Sequence, residues 1–276
     1  MKFLLRAFMA IYDRIVFYMG VSGFGLVCLV WTAFAVVLYP VIPREPGRRM
    51  GRFVIMAVFR GLLGFLQLSG RYKFDLESLD ALRQQDGIII APNHPSLWDA
   101  VLVVSRLPNV ACIMKTAIIN NIFLGAGARL ARYIRNESLR KMISRAVAEL
   151  KQGNSILLFP EGTRTVTYPL NPLKGSIGVI AGRAKAPVQT VFIETDSPFL
   201  TKGWPVYKMP QLPIAYRIRL GRRFEAPADT GAFVEELEQY FADEIVAGRG
   251  HALPPAVRPV DPANHPVDVL PTPRQN

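Results

Sequence analysis

The chain has 276 residues, room for one sizeable α/β domain and an appendage, and carries a formal net charge of +12. That charge suits nucleic acid, an anionic membrane surface or a phosphorylated substrate, but the apolar residues crowd the start of the chain and no aromatic-basic recognition motif appears, which favours the membrane over nucleic acid. The two cysteines, Cys28 in an apolar run and Cys112 in a predicted strand, lack metal-ligand spacing and exclude a zinc site or a disulfide framework.

Residues 1–19 mix apolar side chains with Lys2, Arg6, Asp13 and Arg14, the pattern of a helix lying at a membrane interface. Residues 20–42 continue without a charge. As a helix they would span about 33 Å, against a hydrocarbon core of roughly 30 Å. The stretch is too long for a cleaved signal peptide, and the competing reading is a buried core helix. Pro40, Pro43 and Pro46 close it. Arg44, Arg48, Arg49 and Arg52 then place the chain beyond the span on the cytoplasmic side, with a re-entrant hairpin as the other topology. Residues 53–68 are apolar but broken by Arg60 and two glycines, and are expected to lie on the membrane or cover the domain. The organisation is therefore a membrane-anchoring helical segment over 1–70, an α/β domain over 71–250 and a tail over 251–276 too rich in proline to pack a core.

Within the domain, strands are predicted at 72–76, 87–91, 110–114, 131–134, 154–159, 188–194 and 216–220, and helices at 77–85, 97–107, 138–151, 177–185 and 230–247, with 118–130 mixed. The alternation argues a central mixed sheet flanked by helices. Arg217 and Arg219 on the last strand are read as a solvated face, with contact to anionic headgroups as the alternative.

One stretch organises this reading. Asn93-His94-Pro95-Ser96-Leu97-Trp98-Asp99 joins a buried strand to a helix, the place where α/β folds put their chemistry. Of the three histidines, His251 and His265 fall in the tail, so a histidine base has one candidate, His94. Asp99, five residues on, can fold back to accept from one ring nitrogen and leave the other free to take a proton. The bland alternative is a capping box, in which Ser96 caps the helix and Asp99 answers it. The two roles are compatible.

A second constellation, Phe159-Pro160-Glu161-Gly162-Thr163-Arg164, comes after another strand. Pro160 ends the strand, Gly162 allows a sharp turn, and Arg164 offers a planar fork suited to phosphate. A Glu and an Arg so spaced can also be a plain loop salt bridge. Lys115 and Arg135 come just after predicted strands, and Lys174 follows the loop over 165–173. Several cations beside one histidine point to a pocket for an anionic substrate.

These residues resemble the glycerolipid acyltransferases, whose first motif, N-H-x-S-x-x-D, is met by Asn93–Asp99 and whose F-P-E-G-T-R motif is met by Phe159–Arg164. The resemblance covers roughly residues 71–225. It implies a glycerol-phosphate acyltransferase-like α/β fold behind a membrane helix, and O-acyl transfer from a thioester donor, acyl-CoA or acyl-ACP, with no metal or bound cofactor. By the same resemblance, His94 would be the general base and Asp99 its orienting partner. Lys115, Arg135 and Arg164 would hold the acceptor phosphate. Glu161 and Thr163 would shape the acceptor site, and Gly162 would let the loop approach. The implied partners are membrane lipids and a lysophospholipid acceptor, most simply 1-acylglycerol 3-phosphate, at the cytoplasmic face of a bacterial inner membrane. The chain departs from the family after Lys115, at Pro187–Glu194, where a second proline is missing, and over 195–213. An acyltransferase of an amino-lipid or aryl-polyene-type pathway is therefore an alternative. A non-enzymatic lipid-binding protein is opposed by the intact His94, Asp99, Glu161 and Arg164. A hydrolase using Ser96 as nucleophile is opposed by the lack of a G-x-S-x-G elbow.

Overall fold

Two helices lead into the sheet. In the computed structural model, which describes residues 2–248, α1 (Lys2–Val41) runs unbroken where the sequence suggested an interfacial helix and then a separate span. Gly20 does not interrupt it, since one glycine costs a helix only ~1 kcal/mol. Pro40 sits in the last turn, and α2 (Arg44–Leu68) begins after a short break with Pro43 just ahead of it. Among the described residues, both helices are long and apolar enough to cross a bilayer. The expected tail, with His251 and His265, lies outside the described residues.

The two helices differ in what they cover. α1 leaves large side chains such as Phe8, Ile15, Leu26 and Phe34 exposed. The first half of α2 is instead bound to the domain. Arg52, only 1% exposed, donates from Nε to the carbonyl of Ala131 (3.0 Å), from Nη1 to Asn109 Oδ1 (3.1 Å) and from Nη2 to Glu149 Oε2 (2.8 Å). Arg48 reaches the same Glu149 oxygen at 3.2 Å. Two of the arginines expected to mark a membrane flank are thus buried in ion pairs, a geometry that the guanidinium fork suits better than lysine does. Farther along, Ile55, Leu63 and Leu66 join the main apolar layer, so residues 53–68 cover the domain, one of their two expected positions.

The sheet has seven strands: β1 (Tyr72–Asp75), β2 (Ile89–Pro92), β3 (Val110–Lys115), β4 (Ile134–Asn136), β5 (Ser155–Leu157), β6 (Val188–Thr195) and β7 (Ile214–Phe224), in the order β1-β7-β6-β2-β5-β3-β4. Every neighbouring pair is parallel except β6 and β7. This is the mixed central sheet the alternation predicted. Side chains alternate across it. Ile88 and Ile90 join an apolar layer with Leu102, Tyr216 and, from the N-terminal helices, Phe17 and Leu66. Ile89 and Ala91 face the other layer, with Ile156, Ile180 and Leu237. That second layer is roofed by α6 (Leu139–Lys151), α7 (Ser176–Ala184) and α8 (Thr230–Gly248), while α3 (Asp99–Val104) lies in the first. α4 (Thr116–Ile119) and α5 (Gly125–Leu130) divide the stretch that the sequence left mixed.

Some boundaries move for physical reasons. The strand expected at 131–134 begins only at Ile134, because Arg132 takes a left-handed conformation (φ 57°) and turns the chain first. Arg135 therefore lies inside β4, not after it. The helix expected from Leu97 starts at Asp99, so Ser96 is not its N-cap; residues 96–98 form a turn, with Trp98 in the cap position. On α6 the buried side chains are Met142, Ile143, Ala146 and Leu150, and Leu139 is exposed. The arginine face of β7 is divided: Arg217 stays exposed, 3.5 Å from Asp75, whereas Arg219 bridges Glu194 (2.9 Å) and Glu244 (2.7 Å) over the ring of Phe192.

Because β2, β3, β5 and β6 all run the same way, their C-terminal ends share one edge of the sheet. His94, Lys115, Glu161–Arg164 and the segment after Thr195 meet there, though they span over a hundred residues of sequence.

Candidate active site

Pro92 ends β2, and the chain then turns under Asn93, whose side chain is locked to β6. Its Nδ2 donates to the carbonyl of Ile193 (3.1 Å), and its Oδ1 accepts the N–H of Ile193 (2.7 Å). The turn projects the His94 ring over Phe159, with centroids 3.9 Å apart and planes 21° from parallel. His94 Nδ1 lies 2.8 Å from Asp99 Oδ2, and the same oxygen accepts the backbone N–H of Ser96 at 2.8 Å. Only the reciprocal half of the expected capping box forms, from Ser96 N–H to the carboxylate, and the same oxygen meets the His94 ring. Ser96 has a different task from the one expected. Its hydroxyl donates to the carbonyl of Phe199 (3.1 Å) and lies 3.4 Å from the Tyr216 hydroxyl.

Asp99 is fully buried, and burial pushes its carboxyl above the usual range. The hydrogen bonds from His94 and Ser96 and the charge of Arg164 pull the other way. Its second oxygen, Oδ1, is buried without a partner. With Nδ1–H pointed at Asp99, Nε2 is the nitrogen left to accept a proton. The ring is 15% exposed, enough for a substrate atom to reach it.

The second constellation is bound to the first. Glu161, 1% exposed, accepts the backbone N–H of His94 (3.0 Å), the hydroxyl of Thr165 (2.7 Å) and the N–H of Asn171 (2.8 Å). Thr165 N–H donates in return to the His94 carbonyl at 2.8 Å. Burial raises the Glu161 carboxyl, and those three donors moderate the rise. Its carboxylate thus faces the chain rather than a ligand, unlike the acceptor-shaping part first expected. Gly162 adopts φ 70°, a conformation costly for other residues, and a β-carbon there would fall 3.3 Å from Lys174 Cγ.

A cavity of about 1610 Å³ opens against these residues. His94, Lys115, Gly162, Thr163, Arg164 and Lys174 line its polar part. Apolar side chains from α1 and α2, among them Phe24, Cys28, Trp31 and Phe59, line the rest. Arg135 is not among the lining residues; the shift of β4 puts Asn136 there instead, in register with Lys115. Sequence reading also missed Lys202, on the segment after β6. Its only signal was that the segment departs from the family. Arg164 is partly committed: its Nη1 donates to the carbonyls of Leu200 and Thr201, each at 2.9 Å. Among the described residues, no three His, Cys, Asp or Glu side chains converge as metal ligands would.

The family model described as Acyltransferase matches residues 73–194, the span from β1 to the end of β6 that contains both motifs. That span is an acyltransferase domain. Two similar proteins fit that placement. This acyltransferase is 21% identical over 231 residues to a 1-acyl-sn-glycerol-3-phosphate acyltransferase of Pseudomonas aeruginosa, covering 82% of this chain and 85% of that one. The crystal structure of the 1-acyl-sn-glycerophosphate acyltransferase PlsC from Thermotoga maritima shares its fold, with a TM-score of 0.63 at 17% identity, over 90% of this chain and all of that one. The sheet edge of this acyltransferase domain gathers one histidine–carboxylate pair and several cations.

Proposed function

We propose that the protein is a membrane-bound enzyme that moves a fatty acyl group from a thioester donor, acyl-CoA or acyl-ACP, to the hydroxyl of a lysophospholipid. The preferred acceptor is 1-acylglycerol 3-phosphate, giving phosphatidate. The observation that carries this reading is the His94–Asp99 pair at the junction between the cationic and apolar parts of one cavity.

In the proposed reaction the acceptor hydroxyl approaches His94 Nε2. The imidazole takes its proton as the oxygen attacks the thioester carbonyl carbon. The C–S bond then breaks, and the thiolate leaves with the proton that His94 returns. Asp99 holds the ring and stabilises the transient imidazolium. A positioned base contributes typically ~10²–10⁴-fold, and alignment of two bound reactants supplies much of the rest. The apolar wall built by α1 and α2 suits acyl chains entering from a bilayer, and Lys115, Arg164 and Lys174 suit the acceptor phosphate. The same two apolar helices support attachment to a bacterial inner membrane, with the α/β domain on its cytoplasmic side.

The test is acyl transfer by membranes carrying the wild type or His94→Ala, offered lysophosphatidate and a lyso-amino-lipid with both donor types. Phosphatidate formed by the wild type alone supports the reading. Transfer only to the amino-lipid reassigns the acceptor and keeps the base. Equal transfer by His94→Ala removes His94 from the chemistry.

A further inference from the structure

We propose that Lys202 binds the anionic headgroup of the acceptor, and that Arg164 serves it partly by holding the Lys202 loop in place. This rests on the reading above, that the acceptor carries a phosphate close to the reacting hydroxyl.

The loop after β6 is fastened to both motifs at once. Ser96 Oγ donates to the carbonyl of Phe199 at 3.1 Å, and Leu97 N–H donates to the carbonyl of Leu200 at 3.0 Å, both from the turn that carries His94. Arg164 Nη1 adds its two bonds to Leu200 and Thr201 from the other motif. Leu200 itself is held at φ 59°, a left-handed conformation that an apolar residue other than glycine adopts only where its surroundings fix it. Lys202 comes directly after, lines the cavity and has no ion pair among the described residues. Among the described residues, a cation without an ion pair thus directly follows the two carbonyls that occupy one terminal nitrogen of Arg164, and both side chains line the cavity.

Substrate chemistry decides which anion it meets. In a glycerol phosphate acceptor, the phosphate lies within a glycerol length of the attacking hydroxyl. In either donor, the nearest phosphate lies a whole pantetheine arm away from the thioester. A cation whose loop is bonded to the His94 turn is placed for the near phosphate. Lys208, on the same loop, lies over the Trp204 ring at 4.9 Å and does not line the cavity, so it is the natural control.

The experiment compares wild type, Lys202→Ala, Lys202→Arg and Lys208→Ala, full length in detergent micelles, with lysophosphatidate and an acyl-CoA varied in turn. Loss of one charge-assisted contact predicts about a tenfold or greater rise in KM for lysophosphatidate in Lys202→Ala. Its kcat and its KM for the donor should stay near wild type, most of the loss should be recovered in Lys202→Arg, and Lys208→Ala should have no effect. An unchanged acceptor KM, a shift confined to the donor KM, or an equal shift in Lys208→Ala would overturn the assignment. Should the wild type not turn over lysophosphatidate, the acceptor reading fails separately, and calorimetric binding of lysophosphatidate judges Lys202. Binding by the wild type that weakens about tenfold or more in Lys202→Ala upholds the role; equal binding, or none to the wild type, refutes it.

Discussion

Glu161 accepts the backbone N–H of His94 at 3.0 Å, so the second motif positions the first through the main chain rather than through the substrate. The prediction is that Glu161→Gln disables the enzyme although it keeps the size of the side chain. The amide can offer only one acceptor atom, and its NH₂ must face either the His94 N–H and Thr165 hydroxyl or the Asn171 N–H. Each donor left buried without a partner costs ~1–3 kcal/mol. We expect a lowered melting midpoint and a fall of about 10²-fold or more in kcat, with acceptor KM changed much less. A rise in acceptor KM with kcat preserved would instead make Glu161 a substrate ligand.

The same logic separates stability from activity at Asp99. Burial raises the Asp99 and Glu161 carboxyls above their unfolded values, so the folded state holds these protons to higher pH than the unfolded chain does. For these two groups, stability is therefore greatest below the ordinary carboxylate range. It falls as pH rises from that range, and the loss is complete only above the raised values. Asp99→Asn keeps an acceptor for Ser96 N–H and removes the buried charge. Its melting midpoint near pH 7.5 should equal or exceed that of the wild type and should depend less on pH between 4 and 7. Its kcat should drop ~10²–10⁴-fold, because the His94 ring loses the carboxylate that fixes its tautomer. Melts across this pH range in detergent check the sign, and a variant clearly less stable than wild type at pH 7.5 would contradict it.

Much of this was legible in the sequence because the relevant signals are local. The strand that ends at Pro92, the His94 turn and the Phe159–Arg164 loop declare themselves by residue type and spacing, and the parallel sheet then brings them together. What was hidden depends on long-range geometry. Whether Ser96 caps a helix depends on Phe199 and Tyr216, about a hundred residues away, which claim its hydroxyl. Arg135 looked like a strand-end cation until the left-handed turn at Arg132 moved the strand past it. Arg48 and Arg52 look like a membrane flank because nothing local announces Glu149, their buried partner.

That partner makes α2 part of the folded domain. Arg52→Met removes one cation from a buried group with three acceptors and leaves Glu149 with Arg48 alone. Breaking a buried pair from one side typically costs ~3–5 kcal/mol. Arg52→Met should therefore unfold several degrees below the wild type and expose the junction between α2 and α5 to protease. Arg49→Met, at an exposed neighbouring position, should do neither. If the two variants melt together, Arg52 contributes no more than an exposed arginine.

The wall of the cavity between α1 and α5 is set by the contact of Trp31 with Gly127. A β-carbon on Gly127 would fall 2.5 Å from Trp31 Nε1 and 2.7 Å from Cδ1, closer than real β-carbons approach, so any side chain there must displace the indole. Trp31 and Gly127 both line the cavity, and Trp31 packs on the small apolar cluster of Ala35, Ala126 and Leu130, which leaves the ring little room to retreat. Gly127→Ala should therefore narrow the apolar part of the cavity without touching His94 or the cations. The expected outcome is a shift in donor preference toward shorter acyl chains. For the longest chain used, kcat/KM should fall by about tenfold, corresponding to ~1–3 kcal/mol of overpacking, while a short-chain donor is used nearly as before. Competition between acyl-CoA donors of two chain lengths in one reaction measures this ratio directly. An equal loss with both donors would mean that the substitution disturbs the α1–α5 packing as a whole and that the Trp31 wall does not touch the acyl chain.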